Sequence, residues 1–208
     1  MKDWRLIYII FAKSEDKLYI SNKNRQAYFV LLSVCIIFVR INLKNCNVMF
    51  DKETYVQRRA LLKKNIGSGV LLFLGNDEQG LNYEDNAFRY RQDSTFLYYF
   101  GLSFAGLSAI IDIDEDKEII FGDELTIDHI VWMGTQPTLK EKSERVGIRE
   151  TLPSVAIISY LHKAVQKGQT VHYLPPYRPE HKLKLMDWLG IPPARQEGSV
   201  PFIRAVVA

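Results

Sequence analysis

Tyr90-Arg91-Gln92-Asp93-Ser94-Thr95-Phe96-Leu97-Tyr98-Tyr99-Phe100-Gly101-Leu102 carries five aromatic side chains within thirteen residues. The stretch reads as one short helix with both ends marked. Asp93 or Ser94 can cap its start, because a short side-chain oxygen accepts an orphan backbone N–H. Gly101 suits its end, where the chain needs a positive φ. Phe96, Tyr99 and Phe100 recur at i, i+3 and i+4 and therefore share a face, with Leu97 beside them. That much apolar surface on two turns has to be buried, so the helix reads as a core anchor. Arg89, Arg91 and Asp93 read as a surface ion-pair set. The stretch holds no nucleophile and no metal-ligand set.

Outward from this helix, the chain alternates strands and helices. Upstream, Asp51 to Ile66 reads as a helix capped by Asp51, with Tyr55, Leu62 and Ile66 on one face and Gly67 as its stop. Arg58, Arg59, Lys63 and Lys64 form a basic flank in its C-terminal half, read as a solvated face that complements the macrodipole. Val70-Leu71-Leu72-Phe73-Leu74 is a continuous apolar run, the pattern of a strand buried on both faces. Residues 76–92 are polar and read as a long loop. Downstream, Ser108 to Ile113 and Lys117 to Phe121 flank Asp114-Glu115-Asp116 as a hairpin. The acidic turn lacks the Gly and the terminal Glu of a calcium loop. Residues 130–134, Ile-Val-Trp-Met-Gly, read as a strand, and 139–146 as a short charged helix. Pro153 to Lys167 reads as an amphipathic helix with Val155, Ile158, Leu161 and Val165 inward. Thr170 to Leu174 reads as a strand, followed by a stiff Pro175-Pro176-Tyr177-Arg178-Pro179 link. Pro179 opens a helix carrying Leu183, Met186 and Leu189 inward. The fold class is therefore α/β, with a mixed β-sheet of about five or six strands flanked by helices.

The first 48 residues differ from the rest. They carry eight Lys/Arg against three Asp/Glu, while residues 49–208 carry nineteen against twenty-one, so the basic balance belongs to the first segment. They hold both cysteines, Cys35 and Cys46, and none of the twelve Gly or eight Pro. Ile, Asn, Lys, Phe and Tyr supply 23 of the 48 positions, the residues that AT-rich codons favour. Three readings stand: a mis-assigned start with Met49 as the true one, a membrane anchor or uncleaved signal, and a buried strand. The apolar run from Ala27 to Val39 is thirteen residues long, short of the roughly 20 that a membrane span needs. A net charge of +3 is too small to indicate nucleic acid. The absence of cysteine from residue 49 onward fits a reducing compartment.

Chemistry-bearing residues are sparse. His129, His162, His172 and His181 stand in no metal-binding spacing, and no nucleophile elbow, phosphate loop or dinucleotide glycine pattern occurs. Asp123, Glu124, Asp128 and His129 form the densest potential ligand cluster, without a motif to support it.

The stretch at 90–101 resembles the YRQ(N/D)S-x-F signature of the N-terminal domain of Xaa-Pro aminopeptidases. The likeness extends over residues 49–208. Glu53 to Leu61 is similar to that family's opening helix, and Gly69 to Phe73 to its first strand. The 130–134 run is similar to its W-x-G strand end, and Ile203 to Val207 to the bridge into its catalytic domain. The resemblance implies a creatinase-type N-terminal domain, ribonuclease H-like, which contributes oligomer contacts and walls the active site without performing the chemistry. It implies a full enzyme that removes a residue preceding proline, using two manganese ions in a second domain on two Asp, one His and two Glu. None of those ligand motifs occurs in this sequence, so no cofactor is expected in this chain. It is expected to be an N-terminal piece, inactive alone, that stops in an apolar run before the catalytic domain. Trp132, at the W-x-G position, is the substrate-binding candidate, and no catalytic or metal residue is carried over. Its implied partners are its own catalytic C-terminal domain, peptides with proline second and further copies of itself, in the cytoplasm, with neither nucleic acid nor membrane. Two alternatives stand beside this: a free-standing peptide- or protein-interaction module of the same fold, and the N-terminal domain of a prolidase.

Overall fold

β1 (Val70–Leu74) occupies the position its uninterrupted apolar sequence requires, paired on both edges. The computed structural model describes residues 50–83, 86–127, 131, 134 and 136–208. β1 runs antiparallel to β2 (Ser108–Asp112), which runs antiparallel to β3 (Lys117–Phe121). β4 (Glu150–Leu152) and β5 (Val171–Tyr173) add parallel edges, giving a five-stranded mixed sheet in the order β4-β3-β2-β1-β5. The expected α/β class and strand number are borne out.

Side chains alternate across this sheet, so each strand feeds two cores. Leu71, Phe73, Ala109, Ile111 and Ile120 point to one face. There they meet α1 (Lys52–Ile66), α2 (Ser94–Phe100) and α6 (Val200–Val207) through Tyr55, Leu62, Phe96, Phe100 and Phe202. α3 (Leu139–Glu144) adds Leu139 to the same core. Val70, Leu72, Ile110, Ile119 and Phe121 point to the other face. There α4 (Ala156–Gln166) and α5 (Pro179–Leu189) cover them with Ile157, Leu161, Ala164 and Leu185. A short 3-10 turn, Pro193–Arg195, joins α5 to α6.

Several expectations are corrected. The basic flank of α1 is not uniformly solvated, because Arg59 is fully buried. Its Nε donates to Glu118 Oε2 at 2.8 Å, and its Nη1 and Nη2 donate to the carbonyls of Tyr99 and Val146, each at 3.0 Å. Burial pushes the Arg59 pKa down while the Glu118 carboxylate pulls it back up. Asp51 stands at the start of α1, yet its side chain makes no capping bond. α4 buries Leu161 of the expected stripe and partly buries Ile158, but its inward face continues through Ile157 and Ala164 and leaves Val155 and Val165 exposed. α5 likewise turns His181 and Leu185 inward and Leu183 and Met186 outward. β4 is only three residues long, too short to carry a readable period. In the run at 130–134, Val131 is helical and exposed and Gly134 has φ 73°, while the remaining positions lie outside the described residues. Residues 1–49, with both cysteines and the expected boundary at 48, also lie outside them. Among the described residues no helix is long and apolar enough to cross a membrane.

Candidate functional site

The aromatic signature sits at the carboxyl end of β1, where that strand gives way to the 75–92 loop. Its polar lead-in is used for hydrogen bonds to backbone. Gln92, nearly fully buried, accepts through Oε1 from Asn76 N at 2.7 Å and from Asp93 N at 2.9 Å. Its Nε2 donates to the Phe104 carbonyl at 3.0 Å. The Tyr90 hydroxyl donates to the same carbonyl at 2.9 Å and lies 3.3 Å from Asn76 O. Asn76 Nδ2 donates to Arg91 O at 2.9 Å. These bonds clasp three loop segments into one unit through the backbone groups of Asn76, Arg91, Asp93 and Phe104.

Asp93 fulfils the expected cap. Its Oδ1 accepts from Thr95 N and Phe96 N, both at 2.9 Å. Asp93 is not half of the expected surface ion pair: its Oδ2 accepts instead from the Tyr177 hydroxyl at 3.1 Å. Gly101 closes α2 at φ 63°, and a Cβ there would fall 2.3 Å from the Tyr55 ring. Both the left-handed backbone and the close approach of Tyr55 require glycine at this position.

A second set of groups converges from the β5–α5 connection. The His181 ring Nε2–H donates to the Gly75 carbonyl at 3.1 Å, and Lys184 Nζ reaches Asp77 at 2.7 Å. Arg178 pairs with Glu180 on the same turn. Between the two sets lies a cavity of about 100 Å³ walled by Leu72, Leu74, Tyr173, Pro175, Tyr177 and His181. Its ionisable walls are Asp93, Tyr177 and His181. Burial pushes the Tyr177 hydroxyl up and the His181 imidazole down. Nearby, burial, aided by Asp77 and Glu78, pushes the Tyr90 hydroxyl up. Such a cavity admits a small apolar group and offers no nucleophile.

Trp132, the expected substrate-binding residue, lies outside the described residues, as do Asp128 and His129. The carboxylates of Asp123 and Glu124 are engaged elsewhere. Asp123 accepts from Ser154 N at 3.0 Å and from its hydroxyl at 2.5 Å, and Glu124 accepts from Leu139 N at 2.9 Å. Among the described residues no group of three or more His, Cys, Asp or Glu is placed to hold a metal ion. The convergence of Tyr177 and His181 on the signature is absent from the sequence reading. The stiff proline link that delivers them was its visible trace.

A mixed five-stranded sheet with helices on both faces, its loops clasped at the end of β1, defines an α/β domain. Residues 55–173 match the family described as Aminopeptidase P, N-terminal domain, and the chain belongs to that family. It is 30% identical over 112 residues to a protein described as a probable Xaa-Pro aminopeptidase of Chaetomium globosum, covering 52% of this chain and 18% of the relative. It is 33% identical over 90 residues to the human Xaa-Pro dipeptidase, covering 42% of this chain and 18% of that protein. Its fold is similar to the Pseudomonas aeruginosa aminopeptidase PepP, with a TM-score of 0.59 at 21% identity, covering 73% of this chain and 35% of that one. The low-pH form of Escherichia coli aminopeptidase P gives a TM-score of 0.57 at 18% identity, covering 68% and 33%. The aligned part thus spans about a fifth of the curated relatives and about a third of these structures.

Proposed function

We propose that this chain is the N-terminal domain of an Xaa-Pro aminopeptidase, an enzyme that hydrolyses the bond between an N-terminal residue and a following proline. In this reading the domain walls the active site and contributes contacts between copies, in the cytoplasm, and a second domain performs the chemistry. The observation that carries it is the family match over residues 55–173. In the full enzyme two manganese ions would activate water and polarise the scissile carbonyl. Among the described residues no group of three or more His, Cys, Asp or Glu is placed to hold such ions, and the Asp123 and Glu124 carboxylates are engaged in hydrogen bonds. No step of the reaction is therefore assigned to them. Trp132 is the residue proposed to face the peptide.

An assay of the chain with manganese and an Xaa-Pro peptide tests this reading. No release of the first residue is expected, and measurable turnover would overturn it. The 33% identity to the human Xaa-Pro dipeptidase supports a second reading, the same domain in a dipeptidase. The two separate on substrate length in the enzyme that carries this domain. An aminopeptidase cleaves Xaa-Pro peptides longer than two residues, and a dipeptidase cleaves Xaa-Pro itself.

A further inference from the structure

Four strands meet one end of the sheet in register. Leu74, Ser108, Phe121 and Leu152 form one row across β1, β2, β3 and β4. β1, β3 and β4 run the same way, so the row marks their carboxyl ends, where open α/β sheets bind ligands. On the α4–α5 side of this row lies a cavity of about 340 Å³. Phe121, fully buried, and Ser108, nearly so, are its innermost lining residues. Ile158 of α4 and Trp188 of α5, both half-buried, give it apolar walls. Val155, 76% exposed, adds apolar surface on the solvent side. The cavity shares no lining residue with the smaller one beside Tyr177 and His181.

Three charged side chains also line it. Lys184 Nζ lies 2.8 and 2.7 Å from the two Asp77 oxygens, so those charges offset each other. Asp123 has no such counterpart. It accepts from Ser154 N at 3.0 Å and from the Ser154 hydroxyl at 2.5 Å, and both donors are neutral. It forms no salt bridge among the described residues. The start of α4 supplies only a partial positive charge. A carboxylate has about four acceptor sites, so Asp123 keeps capacity for a further donor. The cavity therefore combines an apolar interior with one unmatched negative charge.

We propose that this cavity binds a primary ammonium group carried on a compact apolar body, as in a small alkyl amine or the first residue of a peptide. The ammonium donates to Asp123, and the apolar body packs between Ile158 and Trp188 over Phe121. An anion would face Asp123 without a free cation to receive it, because Lys184 is already matched by Asp77. A neutral apolar group would leave the Asp123 charge unmatched. The volume is at the small end of the roughly 300–1,000 Å³ of ligand pockets, which suits a body about the size of one side chain. The inference does not rest on the proposed function.

Heteronuclear NMR of the full chain at about pH 6.5, below the α-amino pKa of about 8, tests it with three probes. Leucinamide carries the ammonium and the apolar side chain without a carboxylate. N-acetyl-leucinamide lacks the charge, and isopentylamine lacks the amide. Leucinamide should shift the Trp188 indole resonance and the amides of Ser154 and Val155 saturably. N-acetyl-leucinamide should bind more weakly by about threefold, the worth of an exposed ion pair. Asp123→Asn, which keeps an acceptor for Ser154, should abolish the difference between these two probes. Isopentylamine binding as well as leucinamide supports the proposal with an alkyl amine as ligand, and weaker binding supports it with a peptide amino terminus. No saturable shift with leucinamide, equal binding of the acetylated probe, or shifts that spare Trp188 and Ser154 overturn it. So does a probe difference that survives in Asp123→Asn. The comparison of probes on the unaltered chain holds even if that variant fails to fold.

Discussion

The two faces of the sheet are covered in different ways. On the α1–α2–α6 face the core is aromatic and interlocked. The Phe73 ring packs edge-on against Phe100 and Phe202, at centroid distances of 5.0 and 5.1 Å, and tilts against Tyr99 at 5.5 Å. One strand residue thus ties together two helices far apart in sequence. Arg59 adds a buried charge whose three hydrogen bonds reach β3, the end of α2 and the turn after α3. On the α4–α5 face the core is aliphatic, with Phe121 and Tyr160 as a single edge contact at 6.1 Å. One buried carboxylate crosses it: Asp112 of β2, 1% exposed, accepts from the Tyr160 hydroxyl of α4 at 2.8 Å and from Gln169 Nε2 at 3.0 Å. Both of its helices leave large apolar side chains in solvent. The first face is specified by geometry and polar pairing. The second is held chiefly by non-directional aliphatic burial, with the Asp112–Tyr160 bond at its margin, and so tolerates more variation in its apolar positions.

The sharpest way to break the first face is Arg59→Met. The side chain is of similar length, so the loss is chiefly of charge and hydrogen bonds. Two buried carbonyls, of Tyr99 and Val146, are left without their donor. A cost of about 3–5 kcal/mol is expected, read as a fall in the urea midpoint. A loss below about 1 kcal/mol would show that the buried cation is dispensable and that the aromatic packing suffices.

The second face is tested by a pair on one helix. Leu185→Ala should cost about 2–5 kcal/mol, whereas Leu183→Ala, two residues earlier, should stay within about 0.5 kcal/mol. Equal costs would mean that the inward face of α5 is wrongly placed.

That pair also marks where the sequence was readable. The strands β1, β2 and β3 announce themselves as short apolar runs, and the capped helix at 94–100 shows both its ends. Helix phase was harder. α5 contains two apolar stripes, Leu183/Met186/Leu189 and the one built on Leu185, and periodicity alone cannot choose between them. The choice is made by the β5–α5 link, which delivers His181 to the Gly75 carbonyl and so sets the rotation of the helix. Arg59 was unreadable for a related reason. A basic residue on a helix is ordinarily solvated, and its acceptors on Glu118, Tyr99 and Val146 are brought together by the tertiary fold. The signature at 90–101 was legible as a core anchor. The roles of Gln92 and Tyr177 needed the three-dimensional positions of Asn76, Phe104 and Asp93.

The clasp at the end of β1 distinguishes a polar junction from either core. Gln92→Ala leaves the N–H groups of Asn76 and Asp93 and the Phe104 carbonyl without this partner. A loss of about 2 kcal/mol is expected, together with faster amide exchange at Asn76 than in β1. Unchanged exchange there would mean that Tyr90 and the Asn76 side chain hold the loop by themselves. Asp93→Ala removes the α2 cap and should cost about 1 kcal/mol, while Asp93→Asn or Asp93→Ser, which keep an acceptor, should recover most of it.

The smallest expected effect is a dependence on pH located at the same junction. Burial lowers the His181 pKa below its usual 6.5, with Lys184 adding to the lowering, while the bond to the Gly75 carbonyl and the Asp93 and Glu180 carboxylates oppose it. A histidine whose folded-state pKa is depressed favours folding in its neutral form. Its contribution is fully present above the unfolded value and is lost as pH falls through the folded one. The chain should therefore be less stable at about pH 5 than at about pH 7.5, and His181→Gln should reduce that difference. Part of the slope should remain, because burial also lowers the pKa of His172, whose Nδ1 lies 2.6 Å from Ser199 Oγ on the opposite face of the sheet. A double variant, His172→Gln/His181→Gln, should be flatter than either single one. If His181→Gln steepens the acid limb instead, the imidazole is charged in the folded state. The junction would then be held by a cation at Gly75 rather than by a neutral ring.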